Sequence, residues 1–111
     1  MPHCIAEHSK NIDGFALSQA IFDGAKKTRL FEEDGRDIKV RAIPYEAFIL
    51  GNEEDSFVHV QLRILEGRNE KQKSLLSKVV LSEINLLNLS SCSITIEVVD
   101  MDTESYSKQS S

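Results

Sequence analysis

The stretch SFVHVQLRIL, Ser56–Leu65, carries the clearest periodicity in the chain. Val58, Val60, Leu62 and Ile64 alternate with Phe57, His59, Gln61 and Arg63, the two-residue period of a strand with one drier face. The turn EGR, 66–68, closes it. From Asn69 the period changes. In NEKQKSLLSKVVLSEINLLNL the residues Leu76, Val80, Ile84 and Leu87 form a helical stripe, and Asn69 with Gln72 makes a capping-box pattern. SITIEVVDM, 93–101, returns to strand alternation with Ile94, Ile96 and Val98 on one face. The second half of the chain therefore reads strand, helix, strand.

The first half repeats that order. HCIAEHS, 3–9, reads as a strand with Cys4, Ala6 and His8 opposed to His3, Ile5 and Glu7. From Asn11 to about Arg29 the residues Ile12, Phe15, Ala16, Ala20, Phe22 and Ala25 predict a helix. Gly14 and Gly24 each weaken it by about 1 kcal/mol relative to alanine, so it must lean on tertiary packing. FEEDGRD, 31–37, is a polar turn around Gly35, and IKVRAIPYEAFIL, 38–50, predicts one long strand. Pro44 cannot donate to a ladder and implies a bulge, a bend or an edge position.

The predicted fold is α+β, β-α-β-β-α-β, with right-handed crossovers placing both helices on one face of a four-stranded mixed sheet. The domain is expected to span 1–102, with a mobile, polar, serine-rich tail at 103–111. Phe57, Ile43 and Tyr45 fall on the sheet face that has no helix to cover it, which predicts association.

Composition bounds the function. The 111 residues are 41% apolar and 28% charged, the balance of a globular domain. No apolar run approaches the ~18 residues of a membrane span, and the N-terminus lacks a signal-peptide pattern. A cytoplasmic protein with reduced Cys4 and Cys92 is the expectation, without a membrane partner. A net charge of −5 argues against nucleic acid as a partner. A small anion is still accommodated, because it responds to the cations of its own pocket.

Three stretches resemble the 5-carboxymethyl-2-hydroxymuconate isomerase family of the tautomerase superfamily, which also holds 4-oxalocrotonate tautomerase and macrophage migration inhibitory factor. PHCIAEHSKNI, from Pro2, is similar to that family's opening; FVHVQLRILEGR, from Phe57, is similar to its strand and turn; IKVR, from Ile38, sits where the family has Ile-Arg-x-Arg. The resemblance runs from Pro2 to about Val99. It implies a homotrimer with sites near protomer boundaries, a cofactor-independent isomerase, and an N-terminal proline as the base.

The residues give that implication a mechanism. Removal of Met1 turns the Pro2 nitrogen into a secondary amine, whereas retention of Met1 leaves it an amide. A free α-amino group titrates near 8, and an apolar pocket lowers that value, which suits a base that takes a proton from carbon and returns it. Lys39 and Arg41 lie two apart on one strand face, and Arg68 follows Gly67 at the start of a helix. Such cations can orient a dicarboxylate and stabilise a dienolate. Lys39 replaces the arginine of the family motif and keeps the charge without the planar fork.

Other chemistries fit less well. Cys4 and His8 share a strand face but stand about 13 Å apart, too far for one ion. No Gly-rich phosphate loop occurs, and Cys4 on a buried strand reads as a small apolar residue. The expected substrate is thus an unsaturated dicarboxylate such as 5-carboxymethyl-2-hydroxymuconate. A 2-oxo acid such as phenylpyruvate, or a non-catalytic binding trimer on the same scaffold, are the alternatives.

Overall fold

The computed structural model describes residues 1–111. Strand β1 (His3–Ser9) leads through helix α1 (Gly14–Lys27) to β2 (Lys39–Tyr45); β3 (Ser56–Leu65) leads through α2 (Glu70–Asn85) to β4 (Cys92–Met101). A short 3-10 turn, Thr103–Ser105, follows. The sheet order is β2-β1-β3-β4, with β1 and β3 antiparallel at the centre and each edge strand parallel to its neighbour. This is the expected β-α-β-β-α-β order on one mixed sheet.

Alternation in β3 decides which side is dry. Val58, Val60, Leu62 and Ile64 are at most 1% exposed, and Cys4 and Ala6 on β1 join them beneath the helices. Leu76, Val80 and Ile84 of α2 are fully buried against this layer. Fully burying one such side chain contributes about 1.5–3 kcal/mol, so the stripe is a main source of stability. The capping box of α2 is formed: Asn69 Oδ1 accepts from Gln72 N, and Gln72 Oε1 accepts from Asn69 N, both at 2.9 Å.

Helix α1 differs from its sequence reading in extent and in phase. Asp13 caps it by accepting from Phe15 N and Ala16 N at 3.0 and 3.2 Å, so Ile12 is buried outside the helix. The buried face is Leu17, Ala20, Ile21, Gly24 and Ala25, while Phe15 is 91% exposed. Docking on Leu17 and Ile21 rotates Phe15 outward. Phe22 packs instead on the turn at Gly35, whose φ of +76° suits glycine and whose absent side chain leaves room for the ring.

Strand β2 also ends earlier than expected. Pro44 has no N–H, β2 is an edge, and its partner β1 ends at Ser9 opposite Tyr45. Beyond Tyr45 no neighbour remains to pair with, and the chain bends back. Phe48 then meets Phe57 edge-on with ring centroids 5.0 Å apart on the helix-free face.

The two helices approach closely at Gly24, where an added Cβ would lie 2.9 Å from Val80 Cα. Backbone cannot yield as a flexible side chain can. Gly24→Ala gains about 1 kcal/mol of helix propensity but incurs an overpacking cost of about 1–3 kcal/mol. We expect a net loss of stability, read as a lower urea midpoint with an unchanged slope.

Candidate active site

The register gathers one end of the sheet around the start of β1. His3 pairs with Lys39 on one side and Arg63 on the other, and Ile5 pairs with Arg41. Period-two alternation sends all four polar side chains to the helix-free face. Arg41 Nη1 contacts His3 Nδ1 at 3.2 Å, and His3 Nε2 lies 2.9 Å from the Tyr106 hydroxyl. The His3 and Tyr106 rings meet edge-on with centroids 6.0 Å apart.

Pro2 lies directly before this cluster. Its ring is fully buried, and its carbonyl accepts from Lys39 N at 3.1 Å. Its nitrogen is here in peptide linkage to Met1. The Met1 side chain is only 9% exposed and its sulfur accepts from Lys39 Nζ at 3.3 Å, so it fills the space beside Lys39. The Met1 amino group lies 3.5 Å from Asp37 Oδ2, while Asp37 Oδ1 accepts from Glu32 N.

Of the sequence-derived candidates, Pro2, Lys39 and Arg41 come together around His3. Arg68 is at the same end of the sheet but is engaged elsewhere. Its Nη2 donates to the Leu30 carbonyl at 2.6 Å, and its guanidinium stands 5.3 Å from the Phe31 ring centroid. No hydrogen bond or ion pair joins it to Pro2, Lys39 or Arg41. One donor is used out of five, so most of the fork is available to a ligand.

Arg63 and Tyr106 belong to the cluster and were missed as site residues. Arg63 was legible from the alternation of β3, though nothing in one strand says which cations a neighbour brings. Tyr106 is the lone aromatic of the polar end. That end starts as a docked turn: Glu66 Oε2 accepts from Thr103 N at 2.7 Å, and Asp102 Oδ1 accepts from Glu104 N at 3.1 Å.

The electrostatics follow from this crowding. Burial, then Arg41, then Lys39, the chain's amino group and Arg63 hold the His3 imidazole below its ordinary 6.5. On the dry face, burial pushes the Cys4 thiol up to about 12, against a smaller opposing effect of Arg41. A thiol so placed stays protonated at neutral pH and is no nucleophile. No three His, Cys, Asp or Glu side chains converge as metal ligands. No helix is long and apolar enough to cross a membrane.

Two surface depressions lie elsewhere on the chain. One of about 920 Å³ lies among Lys26, Arg29, Glu33 and Glu83, and one of about 420 Å³ lies between His8 and Phe15. Neither touches Pro2. The space beside Pro2 and Lys39 is taken up by the Met1 side chain.

The double β-α-β arrangement on one mixed sheet is a tautomerase-like fold. The family model described as 5-carboxymethyl-2-hydroxymuconate isomerase matches residues 2–111, and the chain belongs to that family. Among solved structures it is similar to a 5-carboxymethyl-2-hydroxymuconate delta-isomerase at 18% identity and a TM-score of 0.75, covering 100% of this chain and 89% of that one. A 5-carboxymethyl-2-hydroxymuconate isomerase from Deinococcus radiodurans R1 also matches at 18% identity and TM-score 0.75, covering 99% and 90%. A fused 4-OT described as a wild-type symmetric trimer matches at 13% identity and TM-score 0.78, covering 96% and 90%. These likenesses show the shared fold. No curated protein sequence matches the chain.

A lowered imidazole pKa has a stability consequence with a definite sign. Below 6.5 the unfolded chain protonates His3 before the folded one does, so the unfolded state binds more protons and stability falls as pH falls through that range. We expect the His3 titration, followed by NMR, to have its midpoint below 6.5. Arg41→Gln should move it upward without restoring the ordinary value, because burial is the larger cause. A midpoint unmoved by that substitution would remove Arg41 from the account.

Proposed function

We propose that the protein catalyses a cofactor-independent proton shift in an unsaturated 2-hydroxy or 2-oxo dicarboxylate, with Pro2 as the base after removal of Met1. The observation that carries this reading is the concentration of Lys39, Arg41 and Arg63 around the start of β1, which Pro2 directly precedes. Family membership supports the isomerase chemistry; the cluster supports an acidic substrate.

Excision of Met1 bares the proline nitrogen and opens the space next to Lys39 that its side chain fills. Neighbouring cations disfavour a charged amine and lower its pKa, while Asp37 works in the opposite direction. The free amine takes the 2-hydroxyl proton of a dienol substrate, or the proton on the carbon next to the carbonyl of a 2-oxo acid. The negative charge is held on oxygen as a dienolate or enolate, and the proton is returned at the other end of that conjugated system. Arg41 binds one carboxylate and Lys39 assists as a point charge. Arg68 meets the second carboxylate through the donors that Leu30 leaves free. Fitting substrates are 5-carboxymethyl-2-hydroxymuconate first and a 2-oxo acid such as phenylpyruvate second, the latter being easier to admit where lysine replaces a bidentate arginine.

We also propose that the working form is a homotrimer. Ile43 and Phe48 are exposed on the helix-free face beside Tyr45 and Phe57, an apolar group that association would cover.

A second reading has its own observation. Met1 is well packed and its amino group faces Asp37, as expected of a binding protein that keeps its first residue. Intact mass separates the two. We expect protein purified from its host to lack Met1 and to exchange the substrate's carbon-bound proton, with Pro2→Ala slowing that exchange by roughly 10²–10⁴-fold, the range for a positioned acid–base group. Retained Met1, or equal rates in wild type and Pro2→Ala, would remove the proline mechanism.

A further inference from the structure

The hydrogen bonds around His3 have a forced direction. A guanidinium only donates, so Arg41 Nη1 donates to His3 Nδ1, which must accept. The neutral ring then carries its proton on Nε2 and donates it to the Tyr106 oxygen at 2.9 Å. Tyr106 accepts there and makes no other side-chain hydrogen bond, so its own hydroxyl proton is unspent. The result is a chain running from Arg41 through His3 to Tyr106 that ends in a polarised O–H at the start of β1.

The position of Tyr106 is built rather than incidental. Asp102 caps the 3-10 turn, Glu66 ties Thr103 N to the end of β3, and Tyr106 N donates to Thr103 O at 3.4 Å. These contacts bring a residue 103 positions away in sequence onto His3.

We propose that Tyr106 is a catalytic residue of this site, its hydroxyl donating a hydrogen bond to the carbonyl oxygen of the substrate as that oxygen becomes an enolate. The inference rests on the proline reading and adds the acceptor of charge that reading needs. With a 2-oxo acid Pro2 removes the carbon-bound proton, the C–H electron pair becomes a carbon–carbon double bond, and the carbonyl pair moves onto oxygen. With a 2-hydroxydienoate Pro2 removes the hydroxyl proton and the O–H pair stays on the same oxygen. Tyr106 keeps its proton throughout. Its bond strengthens as charge develops, so it acts on the transition state more than on the bound substrate. His3 is a positioning residue that fixes the phenol's direction, and its low affinity for a second proton preserves the tautomer this requires.

The test combines kinetics with a direct view of the ring, using 5-carboxymethyl-2-hydroxymuconate and phenylpyruvate as probes. Tyr106→Phe keeps the aromatic contact with His3 and removes only the hydroxyl. We expect kcat to fall roughly 10²–10³-fold, the usual loss of one oxyanion donor, with KM changed less than about threefold. Nitrogen-15 NMR of the ligand-free protein should show His3 as the Nε2–H tautomer. Unchanged kcat in Tyr106→Phe while Pro2→Ala is inactive overturns this inference alone. An active Pro2→Ala overturns the proline reading and this inference with it. An Nδ1–H tautomer in wild type overturns the relay whatever the rates.

Discussion

Antiparallel pairing of β1 with β3 is the constraint on which the rest of the molecule depends. It sets Ala6 opposite Val60 and Cys4 opposite Leu62, four side chains with essentially no exposure, so the central pair is sealed on the helix side. A slip of one residue would turn Val58, Val60, Leu62 and Ile64 into water at about 1.5–3 kcal/mol each, which fixes the register. Each outer strand then adds in parallel to the central strand of its own half, at the same sequence separation in both. The starts of β1 and β2 and the ends of β3 and β4 are thereby brought to one end of the sheet. Pro2, Lys39, Arg63 and the segment after Met101 meet there because the core permits no other register.

What the sequence made legible follows from how local each signal is. Strand β3 and the cap of α2 were readable because alternation and an Asn-to-Gln pairing are complete within a few residues. The phase of α1 was not, because Phe15 is a better hydrophobe than Ala20 or Ala25 on any scale, yet the close approach of two helices at Gly24 selects the small residues. The end of β2 depended on where β1 stops, which lies outside the strand's own sequence. At the site, Lys39 and Arg41 were visible as a two-residue repeat on one strand. Arg68 was visible only as a charge at a turn, and its attachment to Leu30 and Phe31 is a tertiary fact. Tyr106 gave no pattern at all, since its docking comes from backbone bonds made by Asp102 and Glu66.

An acidic chain can hold a cationic cluster because the carboxylates in the middle of the same sheet face are paired with local partners. On the helix-free face Glu7 accepts from the Tyr45 hydroxyl at 2.7 Å, and Glu97 lies 2.6 Å from His59 Nε2. That hydrogen bond to Glu7 raises the Tyr45 phenol's pKa. Both carboxylates thus spend their charge on local partners in the middle of the face. At physiological salt, screening over about 8 Å further separates them from the end where Lys39, Arg41 and Arg63 cluster. The net charge of −5 is therefore a poor guide to what a ligand meets at that end.

The two faces of β1 also decide where chemistry is possible. Cys4 and His8 look reactive in the sequence, but both point to the dry side. The thiol is held protonated by burial, and His8 Nδ1 bonds the Ser9 carbonyl while its Nε2 packs against Gly14, inside the protein layer. A substrate reaching the Cys4 thiol would have to enter the packed layer beneath the helices, and His8 is 2% exposed at the floor of the depression beside Phe15. The opposite face of the same strand offers His3 at its open end, with donors on both neighbouring strands and the chain's final segment folded over it. Alternation therefore does more than build a core here: it turns one set of titratable groups inward and presents the other at the end of the sheet that Pro2 directly precedes.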